Sequence, residues 1–210
     1  MKKLIYSIFF FMTLSASAQN VGTILDRAIT AFDNSNGMKA SFAMQIQYAQ
    51  QNGMESFEGV MDMKGNRFAF QTPDLQMWFD GVTQWSYVLP SGEVNVSNPS
   101  EKELQSTNPS IILRNYKKQF NAEYKGESTT KNGKSAYDVV LIPKEKSDIT
   151  RIELQIEKNT YMQSAIKVTA KDGTTFAIRF NDIKTNVNQP DDLFAFKESN
   201  YPNVEVIDLR

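Results

Sequence analysis

"MKASFAMQIQY", residues 38–48, decides the fold. Met38, Ala40, Phe42, Met44, Ile46 and Tyr48 alternate with Lys39, Ser41, Ala43, Gln45 and Gln47, the two-residue period of a strand with one apolar face. Just upstream the period is different. Val21, Ile24, Leu25, Ala28, Ile29 and Phe32 recur at helical spacing, which predicts an amphipathic helix over Asn20–Asn36. Asn34 to Gly37, residues that tolerate left-handed geometry, end it.

Downstream, the alternation continues. Phe57, Gly59, Met61 and Met63 share one face of a second strand, and after Lys64-Gly65-Asn66 the pattern resumes at Phe68 and Phe70. Asp80-Gly81 between Leu75–Phe79 and Thr83–Leu89 is a strong hairpin signal, and Pro90-Ser91-Gly92 turns the chain into Val94 and Val96. The period then breaks. Ser100 with Glu101 and Glu103, and Asn108-Pro109 before Ile111, Ile112, Leu113 and Tyr116, predict two short helices. Strands return at Tyr137–Leu141, Ile152–Ile156, Ala165–Thr169 and Thr175–Phe180. A turn at Asp191–Phe196 and a final strand at Val204–Leu209 close the chain. This order predicts a mainly β fold with helices: a single curved antiparallel sheet of about ten strands, an unclosed β-barrel, with an N-terminal helix and a mid-chain helical lid in its concavity.

The first residues carry a different signal. Lys2 and Lys3 precede an apolar run from Leu4 to Leu14, and Ala16-Ser17-Ala18 has the small-x-small pattern of a signal-peptidase site. The run is shorter than the ~20 residues a membrane span needs. The expected organisation is a signal peptide over residues 1–18, cleaved after Ala18, and one domain over 19–210 in the periplasm. No cysteine stands at the cleavage point, so no lipid anchor is expected there.

Composition narrows the chemistry. The formal charge is −1, and loss of Lys2 and Lys3 makes it −3, so no nucleic-acid partner is expected. The chain has no cysteine and no histidine. That removes disulfides, thiol chemistry, every Ser-His-Asp arrangement and the commonest metal ligand. No phosphate loop, metal cluster or nucleophile motif is present. Neither a catalytic residue nor a cofactor or metal is expected, and the chain reads as a non-enzyme. Asp191-Asp192 and Glu153/Glu157 read as helix-start and solvated-face carboxylates.

Methionine is the informative residue. Seven remain after Ala18, six of them between Met38 and Met77. With Phe42, Phe57, Phe68, Phe70 and Phe79 they describe a soft apolar wall. An ordinary sandwich core is the competing reading. The shortage of helices to cover a large curved sheet favours a ligand cavity.

"MKASFAMQIQY", "EGVMDMKGNRFAF", "FDGVTQWSYV", "NPSIILRNY" and "DDLFAFKESNYPNVEVIDLR", in this order, resemble the LolA-type periplasmic outer-membrane lipoprotein carriers over nearly the whole chain after Ala18. The resemblance implies an unclosed barrel with a helical lid that shields lipoprotein acyl chains and moves them from inner to outer membrane, a chaperone-like role in outer-membrane biogenesis. Its partners would be acylated lipoproteins, an inner-membrane ABC-type release complex, and an outer-membrane acceptor or the outer membrane itself, with the carrier a monomer. Carried over, Phe42, Met44, Ile46, Met61, Met63, Phe68, Phe70, Met77 and Trp85 would line the cavity, and Ile111, Ile112 and Leu113 would belong to the lid. Many relatives place an Arg-Pro pair after the second strand, where this chain has Gly65-Asn66. Arg67 is the expected substitute at the rim or lid. Two alternatives remain: an envelope lipid-binding or sensor module with the same fold, and a carboxylate-based glycan hydrolase, which would need two carboxylates facing across a cleft.

Overall fold

The computed structural model describes residues 13–50, 53–100, 103–104 and 109–210, with side chains from Val21 onward, Pro109 excepted. The leader expected over residues 1–18 lies outside this description up to residue 12. Helix α1 spans Thr13–Asp33. It begins before the expected Asn20, because residues 13–19 contain neither glycine nor proline to interrupt it. It ends as expected. Asn36 and Gly37 adopt φ of 47° and 106°, and a Cβ on Gly37 would sit 2.4 Å from the Val187 carbonyl oxygen. The left-handed turn therefore requires glycine.

Among the described residues twelve strands form one sheet: β1 Met38–Gln47, β2 Met54–Lys64, β3 Arg67–Gln71, β4 Leu75–Phe79, β5 Gln84–Val88, β6 Glu93–Ser97, β7 Phe120–Thr129, β8 Ser135–Pro143, β9 Ile149–Glu157, β10 Gln163–Ala170, β11 Thr175–Thr185 and β12 Glu205–Asp208. Their spatial order is β12-β6-β5-β4-β3-β2-β1-β11-β10-β9-β8-β7. Two meanders, β1–β6 and β7–β11, are thus joined back to back where β1 pairs antiparallel with β11. The end strands β12 and β7 do not pair with each other, so the curved sheet stays unclosed.

The structure adds three things to the expected architecture. Strand β7 is new. Its alternation, Asn121, Glu123, Lys125 and Glu127 against Ala122, Tyr124, Gly126 and Ser128, is too polar to register as a buried strand, and such charges suit an edge. Strand β12 runs parallel to β6, with Val206 opposite Val94 and Asp208 opposite Val96, so the sheet is antiparallel except at this margin. Of the two helices expected between Ser100 and Phe120, the second is α2, Pro109–Gln119, with proline at its first position. The first shows at Glu103–Leu104. There the Ser100 hydroxyl accepts from the Glu103 N–H at 3.4 Å, and the Glu103 carboxylate accepts from the Ser100 N–H at 2.7 Å, a capping box.

A bulge sets the curvature. Ser41 pairs with Asp182 and Phe42 with Phe180, leaving Asn181 of β11 unpaired with β1. Asn132, at the tip of the β7–β8 hairpin, donates its side-chain N–H to the Asn181 carbonyl at 2.8 Å. In a flat sheet β8 and β11 would lie about 14 Å apart, three strand spacings. The contact therefore requires the second meander to curl inward.

Helices α1 and α2 lie on the concave face. Val21, Ile24, Leu25, Ala28, Ile112, Leu113 and Tyr116 pack with Val139, Leu141, Ile152, Leu154, Ile156 and Ile166 into an aliphatic core over the second meander. The opposite, convex face of the first meander is covered by the C-terminal segment. The Gln189 side-chain amide donates to the Met38 carbonyl at 3.0 Å and to the Asp62 carboxylate at 2.7 Å. Further along, Trp78, Phe196 and Tyr201 stack in contact, and Tyr201 donates to the Gln76 amide oxygen at 2.7 Å.

Gly59 supplies a test of close packing. A Cβ there would lie 2.4 Å from the Gln71 carbonyl oxygen and 2.6 Å from the Phe42 ring. Gly59→Ala should destabilise the fold by about 1–3 kcal/mol, read as a lower urea midpoint at unchanged m-value. An unchanged midpoint would show that the ring and strand move aside freely.

Candidate functional site: a methionine–phenylalanine face under a helical cover

Strand register places the expected residues. Met38 is opposite Met63, Ala40 opposite Met61, Phe42 opposite Gly59 and Met44 opposite Phe57. Met61 then faces Phe70 and Met63 faces Phe68; Phe68 faces Phe79 and Phe70 faces Met77. Directly opposed residues share a face. The concave side of β1–β4 is therefore a continuous sheet of methionine and phenylalanine. On the other flank of β1, Phe180 and Ile178 extend it through Phe42 and Met44.

Met38, Ala40, Phe42, Met61, Met63, Phe68, Met77, Phe79, Leu104, Met162 and Phe180 are buried in one cluster, with Phe32, Met44, Phe57, Phe70 and Ile111 packed against it. The structure brings together Phe42, Met44, Met61, Met63, Phe68, Phe70 and Met77. Ile46 lies on the same face but at the far end of β1, opposite Glu55 and outside the cluster. The helical residues divide. Ile111 reaches the methionine–phenylalanine cluster, whereas Ile112 and Leu113 belong to the aliphatic core.

Two expected positions are corrected. Trp85 pairs with Trp78, which alternates with Met77 and Phe79 along β4, so Trp85 stands on the convex face. Its aromaticity suggested a cavity wall, and only the register reveals its side. Arg67 also points away from the lid. Its guanidinium lies 2.8 Å from Asp191 and over the Phe194 ring, where it fastens the C-terminal segment. The hydrogen bond from Arg67, then its charge, with Lys64 acting the same way, holds the Asp191 carboxyl below the usual range.

The cover is fastened helix to helix instead. Arg114 of α2 pairs with Asp33 of α1 and lies over Phe32. One turn on, Tyr116 donates its hydroxyl to Asp26 at 2.9 Å, and the Lys117 ammonium lies 2.8 Å from the same carboxylate. The hydrogen bond from Lys117 holds the Asp26 carboxyl below its ordinary value, against a smaller upward effect of partial burial and with further help from Tyr116. Burial, then the Asp26 hydrogen bond, raises the Tyr116 phenol.

Between cover and sheet the free space is small. Ala28, Phe32, Met38, Met63, Ser110, Leu113, Met162, Gln163, Phe180 and Ile183 enclose about 30 Å³, room for about two water molecules. The apolar face is thus packed against its cover. The sequence missed Met162, Phe180 and Phe32 as partners of the face, since each comes from an element far away in the chain. Among the described residues no group of three or more acidic, histidine or cysteine side chains could hold a metal, and no helix is long and apolar enough to cross a membrane.

Residues 11–173 match the family described as outer membrane lipoprotein carrier protein LolA. The chain belongs to this family. An uncharacterized protein of Methanocaldococcus jannaschii is 26% identical over 135 residues, 63% of this chain; the match spans only 38% of that relative's length. Among the solved structures that share the fold are the following two. An uncharacterized conserved protein of Thermus thermophilus superposes with a TM-score of 0.61 at 13% identity, covering 90% of this chain and 99% of that one. The lipoprotein LppX of Mycobacterium tuberculosis gives a TM-score of 0.51 at 12% identity, covering 82% of this chain and 99% of that one.

The clasp predicts a pH response. Because the Asp26 value is lowered in the folded chain, its contribution is present above the ordinary carboxylate value of about 4 and is lost as pH falls through the folded value. Amide exchange in Pro109–Gln119, corrected for intrinsic rates, should therefore accelerate below about pH 4, and Asp26→Asn should produce the same acceleration at pH 7 with β1 and β2 unchanged. Exchange in α2 that ignores both changes would remove the clasp from the account.

Proposed function

We propose that this chain is a carrier of lipoprotein acyl chains, which the methionine–phenylalanine face holds after α1 and α2 separate from it. The observation that carries this reading is the composition of that face. Six of the nine methionines in the chain meet in it, together with phenylalanines from α1, β1, β2, β3, β4 and β11. Each methylene kept out of water contributes about 0.8 kcal/mol, so a multiply acylated chain needs an apolar container and no catalyst. Unbranched methionine side chains re-pack around guests of different shape. They can close over the face, as they do here, and part around a chain.

The division of the concave side suits reversible opening. Aliphatic side chains fix the second meander and helices into a core, while the first meander meets them through softer groups. Polar pairs between α1 and α2, partly open to water, fasten the cover and are individually weak. In this reading the protein is exported, loses its leader after Ala18, and works in the periplasm as a monomer. It receives cargo from an inner-membrane ABC-type release complex and passes it to an outer-membrane acceptor or to the outer membrane itself.

Mass spectrometry on the protein isolated without detergent from the envelope of its own host tests this. Several acylated polypeptides should co-purify, Phe70→Glu should lose them, and the N-terminus should be Gln19. Bound phospholipid or free fatty acid alone would favour a general lipid binder or sensor. Acylated cargo retained in full by Phe70→Glu would remove this face from the binding site.

A further inference from the structure

The sheet has a window. Strand β11 pairs with β1 as far as Thr185, but with β10 only from Thr175 to Arg179. Residues 180–185 therefore have no strand partner on the β10 side. The opening left there is a cleft of about 520 Å³ at the end of the molecule where α1 terminates. The β7–β8 hairpin crosses it, held by the Asn132–Asn181 hydrogen bond. Met162, Phe180 and Ile183 line both this cleft and the small space beneath the cover. These side chains join the opening to the methionine–phenylalanine face, to which all three belong.

Two features say what the passage would take. Gln163 follows Met162 and lines the inner space, and its side-chain amide nitrogen is buried without a hydrogen-bond partner among the described residues. A buried donor left unsatisfied is costly, and a guest bringing a carbonyl oxygen would relieve that cost. Outside it, the cleft carries polar groups beside apolar ones. Thr130, Asn132, Gln155 and Ser164 line it, and the charges of Lys131 and Arg179 face it without an ion-pair partner among the described residues. Lys134, by contrast, is neutralised by Glu157 at 3.0 Å, and Asp182 by Lys184 at 3.5 Å.

We infer that this window is the binding site for the head of an acyl ester: the hydrocarbon passes between Met162, Phe180 and Ile183 onto the apolar face, the ester carbonyl accepts from the Gln163 amide, and the polar head stays in the cleft. The assignment rests on the carrier reading and adds to it a direction of entry and a recognised group. A hydrocarbon alone would leave the Gln163 donor unsatisfied. An acyl ester satisfies it, so the site distinguishes acyl from alkyl chains.

The test uses the purified full chain after leader removal, a synthetic dipalmitoyl-glyceryl lipopeptide, and its dialkyl-ether analogue, which lacks the carbonyls. The ester form should bind about tenfold more tightly than the ether, and Gln163→Leu should erase that difference. A benzophenone on the residue after the lipidated cysteine should cross-link to residues 130–134 or 179–182. Palmitate and phosphatidylglycerol, run as separate arms, tell whether a free acid or a phospholipid is preferred; tighter binding of either one than of the lipopeptide would overturn the lipoprotein source. Equal ester and ether affinities in the unaltered chain, or cross-links confined to β4–β6, would overturn this placement and leave the carrier reading standing. A chain that binds neither lipopeptide would overturn both.

Discussion

The pairing of β1 with β11 is the interaction on which the rest depends. It joins ten residues at one end of the domain to a strand formed more than a hundred residues later, and among the described residues no other strand pair connects the two meanders. Closing so long a loop has an entropic cost that only many simultaneous contacts offset. The ladder supplies them, and the Gln189 bridge to Met38 and Asp62 reinforces its start. The bulge at Asn181 lies within this ladder, so the seam that holds the meanders together also bends them. Curvature brings the hairpin tip to β11, and the unequal reach of β10 and β1 along β11 opens the wall beside it.

From that seam the concave side divides into two materials. Over β7–β10 it is mostly aliphatic, with Phe120, Tyr124 and Tyr137 beside the branched side chains, and shares a core with both helices; over β1–β4 it is mostly methionine and phenylalanine. Branched aliphatics have few rotamers and interlock, while methionine tolerates irregular neighbours. One half of the domain is built to stay fixed and the other to re-pack. The cover bridges both halves, with Ile112 and Leu113 on the fixed side and Ile111 on the adaptable one. Its polar fastenings join α2 to α1, so their release loosens the cover.

Much of this was legible in the sequence, for identifiable reasons. The two-residue alternation in β1–β4 has apolar groups on one side and polar ones on the other, so strand, face and buried residues could be read together. Helix α1 announced itself by its stripe, and α2 by Pro109. The failures share a cause. Trp85 and Arg67 lie in segments whose two faces both carry groups that bury, because the C-terminal segment covers the convex side that alternation assumes to be wet. Strand β7 is an edge and carries charges, and β12 pairs in parallel through a long return that no local pattern encodes. The window was invisible for a similar reason: it is made by the differing extents of strand pairing, a property of neither strand alone.

Methionine methyl resonances test the central claim most directly. With the methionine methyl groups isotopically labelled, a diacylated lipopeptide is titrated into the protein and each signal is followed. The account predicts large shifts for Met38, Met44, Met61, Met63, Met77 and Met162, which share the apolar face. It predicts little change for Met54, which is 62% exposed near the start of β2. Saturable binding that leaves those six signals in place would contradict it, because the acyl chains would then lie elsewhere.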